Sequence, residues 1–329
     1  MSRTNIGPET PTLVERLVML LHLPYAVGCL LIVVLAFLVS LTQISLASLL
    51  LPSGLLAAIV GGMFELYLLY TPRYMRRKVR TTELSIMELL PEGEQQFHKL
   101  FGRISATRPQ LLLFVSFALI FAFSAPNPLE ITAAGVVFLI IICLGTASLL
   151  WAYFSILWGI HKLGAAPLNL RPYYTDPLLG LRPVGSLALS LAAVFLGAVS
   201  LALLSSITYP GTGLIGYVAL GGLVLLGLSF FFLPLMRLHR RMLLQKRLER
   251  GKIGEKLAGI FQERSDGARP FQLDEMFRLD MMERRISTIG PWPFDLQILG
   301  RLLVISLSVS TVLLARIIAF YLKIVIPLG

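Results

Sequence analysis

Seven long apolar runs, most of them close to 20 residues, constrain this chain more than any other feature of its sequence. A helix rises about 1.5 Å per residue, so about 20 apolar residues cross the roughly 30 Å hydrocarbon core of a bilayer. The runs lie at 25–49, 53–70, 110–124, 131–160, 185–206, 214–236 and 302–328. They predict an all-α fold, a polytopic transmembrane helix bundle of about seven spans.

The scarcity of charge argues against a soluble fold. Charged residues make up 14% of the chain and hydrophobic residues 56%, whereas soluble domains carry about 25% charged residues. So few charges cannot form a polar shell around a soluble core of this size. We therefore expect a multi-pass protein of the cell membrane, with the lipid bilayer as its main partner.

The distribution of Lys and Arg predicts the orientation of the chain. The connections at 47–52, 125–130 and 207–213 contain neither residue, whereas the N-terminal tail and the other connections contain 27 of the 29. Connections rich in Lys and Arg stay in the cytoplasm. We therefore expect a cytoplasmic N-terminus, an outside C-terminus, and anionic headgroups at the cytoplasmic basic clusters. No reading motif accompanies this charge, so nucleic acid is not an expected partner.

The predicted spans divide the chain into three parts. Residues 1–236 hold the first six spans and a short cytoplasmic helical segment at 73–109. Residues 237–301 form a cytoplasmic helical hairpin, inserted between spans six and seven, and an interfacial elbow. Residues 302–329 form the last span. Ahead of the first span, residues 13–23 predict a short amphipathic helix lying at the membrane interface.

The hairpin and the elbow each leave alternatives open. The second arm of the hairpin is amphipathic and needs an apolar partner, because a short isolated helix is marginal in water. That partner is the first arm, the segment after span two, or another subunit. Pro291, Trp292 and Pro293 form the elbow, where the prolines end the helix and the indole suits the headgroup level. A re-entrant pathway element is the alternative for this elbow.

Three ionisable residues fall inside the predicted spans: Glu65, Arg316 and Lys323. Ionisable residues within a bilayer are costly and mark functional sites. Lys323 is near the chain end, where its side chain reaches the interface. Glu65 and Arg316 lie in antiparallel spans and lean toward each other, so we expect them to pair, directly or through water. A pore lining and a lipid or subunit contact are the alternatives.

The connection between spans four and five holds a second group of candidates, Arg171, Asp176 and Arg182. The stretch is rich in proline, turns at Gly180, and places two cations and a carboxylate at the predicted cytoplasmic face. A structural clamp between spans and a ligand or gating site are the two interpretations.

The sequence contains no catalytic, metal or cofactor signature. There is no HExxH, no GxSxG and no P-loop, and the four histidines lack metal-ligand spacing. Three functions stay open. The first is an oligomeric channel or transporter for a small solute or ion, with Arg316 near the pathway. The second is a membrane scaffold, assembly factor or accessory subunit of a larger complex, whose hairpin binds a partner. The third is an enzyme acting on lipid.

Overall fold

The structure, a computed structural model, describes residues 11–41, 52–124, 133–172, 176–208, 214–265, 273–288 and 292–325. The fold is all-helical: helices account for 87% of it, and the described residues include no strand. The helices are α1 (Leu13–Met19), α2 (Tyr25–Leu41), α3 (Pro52–Met87), α4 (Gly93–Phe101), α5 (Thr107–Ser124), α6 (Ala133–Leu163), α7 (Arg182–Thr208), α8 (Leu214–Ser265), α9 (Leu273–Thr288) and α10 (Leu296–Val325). A short 3-10 helix, Gly102–Ser105, joins α4 to α5.

Six helical stretches among the described residues are long and apolar enough to cross a membrane. They are Gly54–Met87, Gly93–Phe123, Gly135–Leu163, Arg182–Leu204, Gly221–Ile260 and Gln297–Ala315. A shorter apolar helix, Tyr25–Val39, precedes them. Each of the seven predicted apolar runs is helical wherever it is described. The all-α prediction is therefore confirmed, together with six candidate membrane-spanning helices.

Two helices extend well past their apolar runs. α3 continues through Pro72 and α8 through Pro234, and both go on into segments rich in Lys and Arg. A proline inside a helix lacks the N–H that would bond the carbonyl four residues earlier. Each proline lies close to the end of the apolar run. The missing hydrogen bond is therefore near the junction between the apolar first half and the basic second half of each helix.

The N-terminal helix differs from its prediction. α1 ends at Met19 rather than at residue 23, and the chain then turns, with His22 in the left-handed region at φ +53°. Val14, Glu15 and Val18 are buried, because α1 packs against α2, α3 and α6. Leu17 and Met19 are 38% and 46% exposed, so only one face of α1 is used for intrachain packing, and its place at a membrane interface stays a prediction.

Apolar side chains fill the interior between the long helices. The rings of Tyr153 on α6, Phe195 on α7 and Phe230 on α8 lie 5.4 to 5.9 Å apart between centroids. Such tilted and edge-on aromatic contacts stabilise packing beyond the area they bury. Around them, one buried apolar cluster extends over α3, α4, α6, α7, α8, α9 and α10. The bundle is therefore held by close side-chain packing.

The C-terminal helices pack onto α8. On α9, Leu279 is buried, as is Ile253 on α8, and Arg250 Nη2 lies 3.2 Å from Glu283 Oε1 across the two helices. In the predicted hairpin, the first arm is the end of α8 and the second arm is α9, so the first arm is one packing partner of the second. α10 then packs against α7 and α8.

Gly185 near the start of α7 should tolerate no side chain. A Cβ at this position would overlap the Pro293 carbonyl oxygen, whereas a Cβ at Gly222 on α8 would meet nothing within 4 Å. We expect Gly185→Ala to cost about 1–3 kcal/mol, because backbone must move to admit the methyl group. Gly222→Ala, the matched control, should leave stability unchanged or raise it by up to about 1 kcal/mol.

Thermal unfolding of the two variants in detergent, followed by fluorescence-detected size exclusion, measures this difference. A Gly185→Ala protein as heat-stable as the Gly222→Ala protein would show that α7 and the segment after α9 do not approach each other closely.

Candidate functional site

A buried ion pair joins the first helix to the basic half of α3. Arg76 Nη2 donates to Glu15 Oε1 at 2.9 Å, and the two residues are 7% and 0% exposed. The second carboxylate oxygen of Glu15 accepts from the Thr12 backbone N–H at 2.8 Å, and the Glu15 N–H bonds back to the Thr12 hydroxyl. Glu15 therefore caps α1 and holds a cation of α3 with the same side chain.

The side chain of Gln110 extends this polar cluster to α5 and α6. Its Oε1 accepts from the Leu13 N–H at 3.0 Å and from the Ser148 hydroxyl at 3.5 Å, and its Nε2 donates to the Ile104 carbonyl at 3.2 Å. Gln110 is fully buried, where a side-chain amide without hydrogen bonds would be costly, and these bonds satisfy both its oxygen and its nitrogen. One cluster thus connects α1, α3, α5 and α6.

Sequence reasoning missed this cluster. The local signal was available, because Thr12 and Glu15 have the Ser/Thr-x-x-Glu spacing of a capping box ahead of an apolar run. The pairing with Arg76 was not available, since 61 residues separate it from Glu15 and eight basic residues lie in that connection.

Glu65 lies where α3 packs against α2 and α6. Leu68, one turn further on, approaches Gly145 of α6, while Leu69 packs in a cluster with Cys29 of α2. Glu65 is 4% exposed, and no hydrogen bond or ion pair joins it to another residue that the structure describes. A carboxyl in such apolar surroundings is costly, so Glu65 stays a functional candidate.

Arg316 and Lys323 both belong to α10, but their side chains lie outside the described part of the structure. The backbone places α10 against α7 and α8, and α3, which carries Glu65, also packs against α7. The Glu65–Arg316 pair therefore stays a prediction.

Asp176 shapes the turn in which it lies. Its Oδ1 accepts from the Leu178 N–H at 2.9 Å and its Oδ2 from the Gly180 N–H at 2.8 Å. Gly180 has φ +84°, a left-handed conformation that glycine adopts at low cost. Both oxygens of the carboxylate are thus engaged by backbone N–H groups of the turn.

The two arginines of this connection make ion pairs with other elements. Arg171 Nη2 lies 2.5 Å from Glu88 Oε2, just past the end of α3, and Arg182 Nη2 lies 2.9 Å from Asp295 Oδ2, at the start of α10. These side chains are half-exposed, and such pairs contribute about 0–1 kcal/mol each. The geometry favours the clamp interpretation, in which the connection links the ends of α3, α7 and α10.

The elbow packs against α8 and α7. Pro291 lies outside the described residues, whereas Trp292 and Pro293 are described. The Trp292 ring stacks on His239 of α8, with centroids 4.0 Å apart and an angle of 19° between the planes. The Pro293 carbonyl faces Gly185 of α7. This packing gives Trp292 and Pro293 a structural role in the elbow.

No group of three or more His, Cys, Asp or Glu among the described residues has the geometry to hold a metal ion. No family model, curated protein or solved structure matches this chain. The functional argument therefore rests on the geometry of the molecule itself.

Removing the negative charge of Glu15 should destabilise the fold strongly. Glu15→Gln keeps an oxygen for the Thr12 cap but leaves the Arg76 guanidinium without its carboxylate, a loss that typically costs about 3 kcal/mol or more. The control is Arg77→Gln, which removes a neighbouring exposed charge. Adding Arg76→Met to Glu15→Gln should recover part of the loss.

The measurement is the midpoint of thermal unfolding of the purified protein in detergent. If Glu15→Gln and Arg77→Gln unfold at the same temperature, the pair does not hold α1 in place.

Proposed function

We propose that the chain is a multi-pass protein of the cell membrane that crosses the bilayer seven times, with a cytoplasmic N-terminus and an outside C-terminus. The six candidate spans and the apolar helix α2 support this number. Contacts between connections support one common side for them, and their Lys and Arg content favours the cytoplasmic side. Glu15 with Arg76, Glu88 with Arg171 and Asp295 with Arg182 tie together the connections that hold the Lys and Arg residues.

Cysteine labelling tests this orientation. In a Cys29→Ser, Cys143→Ser background, a membrane-impermeant maleimide should label Asn127→Cys on intact cells, because residue 127 lies in a predicted outside connection. It should label Lys256→Cys only after the cells are made permeable, because Lys256 is an exposed residue of the proposed cytoplasmic insert. Labelling of Lys256→Cys on intact cells would reverse the proposed orientation.

For the role of the protein, we propose a membrane scaffold, assembly factor or accessory subunit of a larger complex. The observation that carries this proposal is an exposed apolar surface on the insert of the bundle. On α9, Phe277 and Met281 are 57% and 68% exposed, and they lie one helical turn apart. Large apolar side chains exposed on a polar helix mark interaction sites.

The charge of α9 favours a protein as the occupant of this surface. The helix holds four carboxylates and three arginines, Asp274, Glu275, Asp280, Glu283, Arg278, Arg284 and Arg285. Helices that lie on anionic membranes are instead rich in Lys and Arg on their polar face. An acidic excess beside an apolar pair thus suits a partner subunit, or a second copy of the chain, better than a headgroup layer.

Native electrophoresis of gently solubilised membranes tests this role. At native expression, the wild-type chain should migrate well above its own 36.4 kDa, and Phe277→Glu with Met281→Glu should shift it to the mass of the free chain. Leu84→Glu is the matched control, because Leu84 is 77% exposed and belongs to α3 rather than to the insert. A wild-type chain that migrates alone, or a shift with the control as well, would contradict the proposal.

An oligomeric channel or transporter for an ion or small solute is the second candidate. Glu65 favours it, as a carboxyl buried inside a candidate span with no partner among the described side chains. The same purified protein, reconstituted in liposomes, distinguishes the two roles. Flux that Glu65→Gln and Arg316→Ala both reduce would support transport, whereas wild-type liposomes without flux for common ions would leave the scaffold role.

A further inference from the structure

One carboxyl of α3 is buried in an apolar helix contact without a partner. Glu65 is 4% exposed, and no hydrogen bond or ion pair joins it to another described residue. Along the helix it lies about 18 Å from Ser53, where the apolar run of α3 begins. The hydrocarbon core of a bilayer is roughly 30 Å thick, so the proposed topology places Glu65 near the middle of it.

Glu65 lies on the side of α3 that packs against α2 and α6. Leu68 and Leu69, one turn further on, contact α6 and α2 respectively. Tyr67 lies about 200° around the helix from Glu65, and its ring and hydroxyl contact α7. Glu65 therefore points away from α7. Since α10 packs against α7 and α8, Glu65 also points away from the helix that carries Arg316.

Two glycines leave space beside this carboxyl. A helical side chain covers the turn before its own Cα, so Glu65 lies over Gly61 and Gly62. A Cβ at Gly61 would meet no described atom within 4 Å, and a Cβ at Gly62 would lie 3.5 Å from Val33 Cγ1 of α2. Both glycines are half-buried. The space beside Gly61 therefore gives the carboxyl a route toward the N-terminal end of α3.

The elements packed around this part of α3 bring no charge that would hold an ionised carboxyl. The titratable groups of α2 are Tyr25 and Cys29; α6 has Cys143, and its His and Lys lie in its last turn. α7 has its single charged residue at its first position. The nearest cation of α3 is Arg73, about 12 Å further along the helix, and it lies over the Tyr25 ring. An ionised carboxyl here would be an unpaired charge in apolar surroundings, which is very costly.

A proton is the ligand that suits such a carboxyl. Metal cations need several ligands at once, about six to eight oxygens for Ca²⁺. No group of three or more His, Cys, Asp or Glu within the described ranges has the geometry to hold one. A proton needs a single carboxylate oxygen, and it cancels the charge that burial makes costly. Carboxyls at this depth of a membrane serve as proton relays in pumps and transporters.

We propose that Glu65 is a proton-binding site within the membrane and that it exchanges its proton through the space beside Gly61. Binding converts the carboxylate to the neutral acid, and release returns the proton to water and leaves the carboxylate. The proposal deepens the second candidate role, because it names the proton as the ion. It rests on the proposed membrane insertion and does not depend on the scaffold role.

Dicyclohexylcarbodiimide tests this site, because the reagent is apolar and reacts with protonated carboxyls. The acid proton moves to one carbodiimide nitrogen while a carboxyl oxygen bonds to the central carbon. In the absence of water and amines, the acyl group then moves to nitrogen and gives a stable N-acylurea. The protein in phosphatidylcholine vesicles is treated at a series of pH values, and peptide mass spectrometry locates the adduct.

We expect one adduct per chain, at Glu65, at acid and neutral pH. Its rate should fall about tenfold for each pH unit above the titration midpoint. Gly61→Val should slow it about tenfold, because a branched side chain fills the space, whereas Gly222→Val, the matched control, should leave it unchanged. Glu65→Gln should abolish the adduct, and the exposed carboxylate Glu88 should stay unlabelled in every variant.

The absence of an adduct at Glu65 at every pH, or a rate that does not depend on pH, would overturn the site. A rate that rises in Arg316→Ala would show that the arginine, rather than a proton, neutralises the carboxyl. Equal rates in Gly61→Val and Gly222→Val would contradict the route beside Gly61.

Two further measurements separate this site from the proposals on which it rests. A chain that does not float with the vesicles contradicts membrane insertion, and with it the site. In the flux assay, adduct formation without flux contradicts transport but supports the proton site. Flux without an adduct contradicts the proton site alone.

Discussion

The buried ion pair between Glu15 and Arg76 is the contact on which the polar end of the bundle depends. Burying a carboxylate and a guanidinium costs several kcal/mol per ion, and only good geometry with further hydrogen bonds offsets that cost. The capping box at Thr12 and the bonds of Gln110 supply such geometry. Because the buried carboxylate must reach the buried guanidinium, the ion pair fixes the position of α1 against α3 at the polar end of the bundle.

Polar contacts concentrate at that end, and apolar packing occupies the rest of the interior. Asp176 closes its own turn, while Arg171 and Arg182 reach Glu88 and Asp295. These contacts give Arg171, Asp176 and Arg182 a structural role, which is to shape the connection between α6 and α7 and to join it to other helices. The buried carboxyl of Glu65 and the exposed apolar side chains of α9 have no such structural use among the described residues, and for this reason they carry the two proposed roles.

The sequence predicts the helices well because span length and apolar composition are local properties. Contacts between residues far apart in the sequence are not local, and the sequence does not predict them. Nothing in the connection after span two distinguishes Arg76 from its basic neighbours until α1 is docked on it. The amphipathic pattern of α9 predicts that its apolar face, which includes Phe277 and Met281, needs a partner, but it does not predict that the first arm leaves these two side chains exposed.

α8 connects the bundle to the insert. It is one continuous helix from Leu214 to Ser265, so the packing of Phe230 in the bundle and the packing of Ile253 on α9 belong to the same element. Between them lies Pro234, which removes one hydrogen bond from the helix. A helix bends most readily at such a position. The direction of the insert relative to the apolar half of α8 therefore depends on the geometry at Pro234.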